Sequence, residues 1–174
     1  MKKVLLVIDV QQQFVNSAAS FLPAKIAAFL TNNESKFDHV FFFKFKNDRQ
    51  SNWFQQLGWK QMLEDSEIKL AAELRPFASQ ENSFVKQASF SVFRVDSFVN
   101  WLRQQTDVEF YLAGLDTDAC IYQTALEAFE RGYPVKVVTD LCAASHGKKY
   151  HRCALKCLER NLGQQVLIDS ASFD

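Results

Sequence analysis

A cysteine at the junction of a turn and a helix is the first place in this chain where chemistry could start. Cys120 lies in the stretch Val108–Asp140, VEFYLAGLDTDACIYQTALEAFERGYPVKVVTD, which reads as strand, tight turn, helix, turn, strand. Unpaired N–H groups and the positive end of the helix dipole favour the thiolate at a helix start. The position therefore predicts a Cys120 pKa below that of a free cysteine, and fastest alkylation among the four thiols. The ordinary fate of a free cysteine is to act as a small buried hydrophobe in mid-element. Cys120 stands instead at an element boundary, beside polar turn residues. Asp9 is the second candidate, because it ends the apolar run VLLVI. In open α/β sheets ligands bind beyond the carboxyl ends of the strands, where the strand order reverses. In the order 3-2-1-4-5-6 the strands before Asp9 and Cys120 are neighbours at that point. A carboxylate there could take the thiol proton and later hand it to a leaving group. Taken alone, Asp9 also suits a strand-terminal residue bonding to loop amides.

The elements that must position these groups follow from periodicity. Val108 to Ala113 is too short for a helix and reads as a buried strand. Gly114 breaks it, and Thr117 or Asp118 suits an N-cap. From Ala119 onward, Ile121, Ala125 and Ala128 form one apolar line and Tyr122, Leu126 and Phe129 the next. Gln123, Glu127, Glu130 and Arg131 face water, Gly132 caps the C-terminus, and Pro134 forbids continuation. Val135 to Val138 is the next strand, completing a βαβ unit with a right-handed crossover. Elsewhere, strands are predicted at Lys3–Ile8, Phe37–Phe45, Ser83–Lys86 and Val166–Ile168. Pro23, preceded by Ser20, opens a helix to about Asn33. Short helical pieces fall at Trp53–Leu57 and Ile68–Leu74, Asp96 caps a helix to about Gln105, and Lys148–Leu162 is the last helix, closed by Gly163. The irregular segment Asn47–Leu74 suits an active-site wall. Strands and helices alternate almost throughout, which predicts a three-layer α/β/α, Rossmann-like fold with a mostly parallel six-stranded sheet, in a single domain over 1–174.

Composition excludes several classes. Lysine plus arginine, 20, balance aspartate plus glutamate, 20, so no electrostatic footprint for nucleic acid or an anionic membrane exists. Residues 4–8 are too short for a signal core or a membrane span. Without an export signal, Cys120, Cys142, Cys153 and Cys157 are expected to be reduced thiols in a cytoplasmic protein. A nucleotide-binding Rossmann enzyme would show a glycine-rich turn after the first strand, and DVQQQF has none. Cys153 and Cys157, four apart, could seat a metal, but no matching ligands stand nearby and a packed helix face is the simpler reading.

Together VLLVIDVQQQF, GLDTDACIYQTALEAFERGYPVKVVTD and the segment Ser145 to Leu155 resemble the isochorismatase-like cysteine hydrolases, a superfamily that includes nicotinamidases, N-carbamoylsarcosine amidohydrolases and isochorismatases. The resemblance spans nearly the whole chain. It implies an Asp–Lys–Cys triad on Asp9, Lys86 (from VKQASFSVF) and Cys120, although Lys86 by itself could be an ordinary surface lysine. It implies that Lys86 holds Cys120 as thiolate, that Asp9 manages the proton, and that the N–H groups of Asp116 and Cys120 form an oxyanion hole. It also implies that Leu115–Asp116 is a cis peptide aiming the second amide. The expected reaction is hydrolysis of a small-molecule amide or related C–N bond through a thioester, without a cofactor, in a homo-oligomer (dimer or tetramer). Gln11, Phe14, Asn47, Trp53 and Phe93 are the substrate-binding candidates, with Trp59 and Phe90 as further aromatic walls. Alternatives are a catalytically silent small-molecule-binding or interaction protein of the same fold, and vinyl-ether hydrolysis of the isochorismatase type. Isochorismatases proper generally lack the cysteine. No metal is expected: the segment FKFKNDRQSNWFQQLGW, where metal-dependent nicotinamidases carry an aspartate and histidines, has Asp48 as its only carboxylate and no histidine.

Overall fold

A computed structural model describes residues 1–173. One six-stranded sheet runs through it in the order β3-β2-β1-β4-β5-β6. The strands are β1 (Lys2–Ile8), β2 (His39–Lys46), β3 (Ser83–Gln87), β4 (Val108–Gly114), β5 (Val135–Cys142) and β6 (Leu167–Ile168). Every neighbouring pair is parallel. The helices are α1 (Leu22–Asn33), α2 (Asn52–Gln55), α3 (Asp96–Leu102), α4 (Tyr122–Glu130) and α5 (Lys148–Leu162).

Continuous apolar strands are explained by burial on both faces. Val4, Leu6 and Ile8 of β1 pack with Phe98 of α3, Ala125 of α4 and Leu158 of α5. Leu5 and Val7, pointing the other way, pack with Leu22, Ile26 and Leu30 of α1. These are the three layers that the alternating pattern implied. Pro23 sits in the first turn of α1, where its missing N–H costs nothing, although Ser20 does not cap the helix. At the end of α4 the Tyr133 N–H bonds to Ala128 C=O and the Gly132 N–H to Phe129 C=O. That Schellman pair needs the left-handed backbone that Gly132 supplies at φ 81°.

Some expectations shift. The segment predicted helical at Ile68–Leu74 instead bridges Gln11 through Leu70, and a tight 3₁₀ turn begins only at Ala72. Asp96 is the first helical residue of α3 rather than its cap, which is Val95. β5 continues past Val138 to Cys142, with a register shift against β4 between Leu112 and Gly114. Phe129, expected on an apolar line, is exposed, because only the Ile121, Ala125, Ala128 line reaches the sheet.

Candidate active site

The sheet reverses its order between β1 and β4, and their carboxyl ends are pressed unusually close. A Cβ on Gly114 would lie 2.0 Å from the carbonyl oxygen of Ile8, so only glycine permits this approach. Pairing runs to Ile8 opposite Gly114, and the Leu115 N–H still bonds to Ile8 C=O at 2.8 Å. Asp9 and Leu115 therefore leave the sheet side by side. Asp9 takes the left-handed region at φ 55°, a conformation aspartate tolerates better than most residues. The Leu115–Asp116 peptide is cis.

Cys120 does not begin an ordinary α-helix. Residues Thr117–Ile121 form a π-helical turn ahead of α4, with the Ile121 N–H bonded to Asp116 C=O at 3.1 Å. Such turns recur at functional sites because they re-aim a side chain without ending the helix. The N-cap is Asp116, not Thr117 or Asp118. Its carboxylate faces away from the helix and accepts from the N–H and Oγ–H of Ser145, at 2.7 and 2.8 Å. Thr117 is held by a 2.8 Å contact with His151 Nδ1. Burial holds the His151 imidazole below the usual histidine range. The Asp116 N–H makes no hydrogen bond among the described residues.

Lys86 comes from the edge strand β3, in register with Phe45 of β2. It reaches across β2 with Nζ 5.8 Å from the centre of the Phe45 ring. Nζ donates to Asp9 Oδ2 at 2.6 Å, to Cys120 Sγ at 3.3 Å, and to the carbonyls of Ser89 and Phe90 at 3.1 and 3.3 Å. The left-handed Ala88 (φ 41°) and the hydrogen bonds between Ser89 and Ser91 shape the turn that brings those carbonyls back. Lys86 is completely buried and Asp9 nearly so. A buried ammonium with four acceptors and a carboxylate partner is a built feature, not a surface lysine.

The electrostatics overturn the expected thiolate. Burial, and after it the Asp9 charge, push the Cys120 thiol well above the ordinary cysteine range, and Lys86 offsets only part of this. One ammonium cannot neutralise two anions, and Asp9 has the shorter contact. Burial also raises the Asp9 carboxyl against the pull of Lys86. An ion pair by itself would lower Asp9, so desolvation prevails at the carboxylate. At Lys86 burial pulls downward, but Asp9 and Cys120 together carry the ammonium above its ordinary range. These directions favour the thiol over the thiolate at Cys120 and the ammonium at Lys86. Asp9 Oδ1 is buried and has no hydrogen-bond partner among the described residues. Brief, limiting iodoacetamide is accordingly expected to label the exposed Cys153 and Cys157 before Cys120. Peptide mass spectrometry reads the order, and Cys120 labelled first would mean a thiolate at rest. Cys142 is inert in either case: it is buried, donates to Leu112 C=O, and burial pushes its thiol up to about 12.

Asp9 and Cys120 open onto a cavity of about 350 Å³ that Phe14, Trp53, Trp59 and Phe90 also line. Three of the substrate-binding candidates do not line it. Gln11 is fully buried and acts like a piece of strand. Its Nε2 donates to the carbonyls of Phe45 and Ile68, and its Oε1 accepts from the Phe45 N–H. Asn47 spends its side chain on the carbonyls of Trp59 and Gln61 and on the Asp48 N–H, shaping the loop that carries both tryptophans. Phe93 is core, against Phe98, Phe110 and Tyr133, because it follows the turn inward rather than toward the cavity. Sequence reasoning missed Phe45, Leu57, Leu115, Asp118 and His146 on the cavity wall. For His146 the signal was its place beside Ser145, at the carboxyl end of β5.

A buried Asp–Lys–Cys cluster at the switch point of a parallel α/β sheet defines the class. The chain belongs to the isochorismatase family, whose model, described as an isochorismatase domain, matches residues 3–171. It is 30% identical over 83 residues to the uncharacterized isochorismatase family protein PncA of Bacillus subtilis, covering 48% of this chain and 45% of that one. The matched stretch thus spans less than half the length of that curated relative. An isochorismatase-like hydrolase from Alkaliphilus metalliredigens superposes with a TM-score of 0.83 at 18% identity, covering 99% of this chain and 97% of the other. The nicotinamidase PncA from Bacillus subtilis gives 0.81 at 22%, covering 97% and 100%. At such identities these two likenesses speak to the fold alone. No helix among the described residues is long and apolar enough to cross a membrane.

Proposed function

We propose that this protein is a cofactor-independent cysteine hydrolase that opens a small-molecule amide or related C–N bond through a thioester on Cys120. The observation that carries the reading is the contact of one buried ammonium with both Asp9 and Cys120, 2.6 and 3.3 Å away, beside an apolar cavity. As Sγ attacks the carbonyl carbon, the thiol proton passes to Asp9 Oδ1, the oxygen with no other claim on it. The carbonyl π electrons move to oxygen, and in this reading the N–H groups of Asp116 and Cys120 receive that charge; the Asp116 N–H, which makes no hydrogen bond among the described residues, supports it. Collapse breaks the C–N bond while Asp9 returns the proton to the departing amine. Asp9 then takes a proton from water, hydroxide adds to the thioester, and Sγ leaves with the proton. Lys86 keeps the cluster's net charge near zero while the negative charge moves from oxygen to sulfur and back. A screen of small amides, ureido compounds and carbamoyl amino acids, followed by ammonia or amine release, tests this. Absence of turnover with every class, with no acyl mass trapped on Cys120, would leave a binding protein of the same fold. The cytoplasmic, homo-oligomeric state expected from the sequence belongs to this reading and is checked by fractionation and light scattering.

The pH profile follows from the cluster. Turnover needs Asp9 ionised, so kcat/KM falls as pH drops through the Asp9 pKa, which burial has raised. The acid limb is therefore expected above the ordinary carboxylate range. Cys120 and Lys86 both titrate above their usual ranges, so no alkaline limb is expected near the free-thiol pKa of about 8.5. An acid limb at about pH 4 would mean that burial does not raise the Asp9 carboxyl.

Turnover is expected to survive dialysis against a strong chelator, and nicotinamide is expected to be a poor substrate. Among the described residues no three His, Cys, Asp or Glu side chains converge as metal ligands. Asp48, the one carboxylate where a metal site would be sought, caps the Gln50 N–H at 2.7 Å. Activity lost to the chelator and restored by zinc, iron or manganese would refute the first statement. Efficient nicotinamide deamidation would refute the second.

A further inference from the structure

The cavity has a pronounced charge asymmetry for a site that must hold a small polar molecule. No lysine or arginine lines it among the described residues; its carboxylates are Asp9, Asp116 and Asp118, and its one basic side chain is His146. Lys86, the nearby cation, is sealed beneath the cavity and committed to Asp9, Cys120 and two carbonyls. Asp116 is engaged by Ser145. Asp118, two residues before the candidate nucleophile, is exposed and takes part in no salt bridge or side-chain hydrogen bond among the described residues. Beside Leu57, Leu115 and Ala119, the rest of the apolar wall is a connected aromatic surface. Phe14 stacks on Trp59 at 6.2 Å, Phe45 bridges Trp59 and Trp53 at 5.6 and 5.5 Å, and Trp53 meets Phe90 at 4.9 Å. Aromatic faces attract cations through their quadrupole, tryptophan most strongly. A carboxylate placed there would lose its hydration, find no lysine or arginine and only the His146 ring as a basic neighbour, and face the Asp118 charge.

We infer that the cavity selects amides whose non-reacting end is cationic or neutral and apolar, such as a quaternary ammonium, and rejects those bearing a carboxylate, with Asp118 as the residue that sets the sign. The inference rests on the hydrolase reading of the same cavity and narrows it: carbamoyl amino acids and other anionic amides fall outside the substrate class. Only charge placement and shape are involved, so the bond-breaking steps are those already given.

The test uses three butanamides of matched length whose terminal carbon carries a trimethylammonium, a tert-butyl or a carboxylate group. Hydrolysis is measured with the wild type, and binding by calorimetry with Cys120→Ala, which cannot form the thioester. The expected order is trimethylammonium, then tert-butyl, then carboxylate, with about tenfold between the first two and a larger gap to the third. Asp118→Asn is expected to shrink the cation-to-neutral ratio several-fold and to ease the carboxylate penalty. Raised salt should shrink the same ratio in the wild type, because an exposed charge is screened; a merely structural role for Asp118 would not respond to salt. If the carboxylate amide is hydrolysed or bound as well as the cationic one, the inference is overturned while the hydrolase reading stands. If Cys120→Ala binds in the expected order but the wild type hydrolyses none of the three, the selectivity stands and the hydrolase reading loses its support.

Discussion

Asp9→Asn is expected to lower kcat/KM by about 10²–10⁴-fold, the usual worth of a positioned acid–base group, while making Cys120 react faster with iodoacetamide. The two effects point in opposite directions, and their combination is the signature of the cluster. Asparagine keeps the shape of aspartate and can still accept from Lys86, so the 2.6 Å contact need not be lost. What disappears is the charge. The Asp9 carboxylate is, after burial, the chief reason the Cys120 thiol is pushed up. Once it is neutral, the Lys86 ammonium at 3.3 Å has no anion to serve except sulfur. The thiol pKa then falls and more thiolate is present at neutral pH. A better nucleophile nevertheless gives a worse enzyme, because no group remains to protonate the departing amine or to activate water. Alkylation rates by mass spectrometry and steady-state kinetics on the same preparation measure both. Normal turnover in the variant would remove Asp9 from proton transfer. Slower alkylation of Cys120 would show that Asp9 and Lys86 do not divide the charge as described.

Where the physical cause is local, the sequence is a sufficient guide. The strands announce themselves as short apolar runs because both faces of the sheet are covered. α5 begins and ends at Lys148 and Leu162 as expected, because Ala154, Leu158 and Leu162 keep helical spacing and Gly163 stops it. The junction holding Cys120 is legible for the same reason, with Gly114 marking the end of β4. What was not legible depends on partners far away in the chain. The π-helical turn is anchored by Asp116 on Ser145, 29 residues on. Gln11 and Asn47 look like ligand-binding polar residues until their partners appear, for Gln11 at Phe45 and Ile68. The thiolate expected at Cys120 from the helix start and from Lys86 leaves out burial and the Asp9 charge, which push the thiol up. In the folded protein a buried carboxylate competes for the same ammonium, and no local pattern reports that competition. Lys86 is the extreme case: an edge-strand lysine whose direction is set by a turn and by the strand it crosses.

Lys86→Met is expected to weaken both fold and function. Asp9 is almost wholly buried, and its salt bridge with Lys86 is sealed from water on both sides. Removing one partner of a buried pair typically costs about 3–5 kcal/mol, because the other charge stays behind uncompensated. The variant can escape part of this by protonating Asp9. Its folded pKa would then lie still further above the unfolded value, so the folded state holds a proton that the unfolded chain gives up. Stability must fall as pH rises through that interval. The variant is therefore expected to approach wild-type stability at about pH 3, below the unfolded aspartate pKa of about 3.9, relative to neutral pH, where the penalty is full. Urea melts at the two pH values measure it. The same protonation removes the base, and loss of the ammonium removes the counter-ion for sulfur. Acylation is therefore expected to slow by at least the 10²–10⁴-fold, roughly, of a lost acid–base group. Methionine fills the volume of the lysine stem, so a packing defect is not the source of the loss. A variant with normal turnover would remove Lys86 from the site. One that is inactive but equally destabilised at both pH values would place the cost in packing around Phe45 rather than in the charge of Asp9.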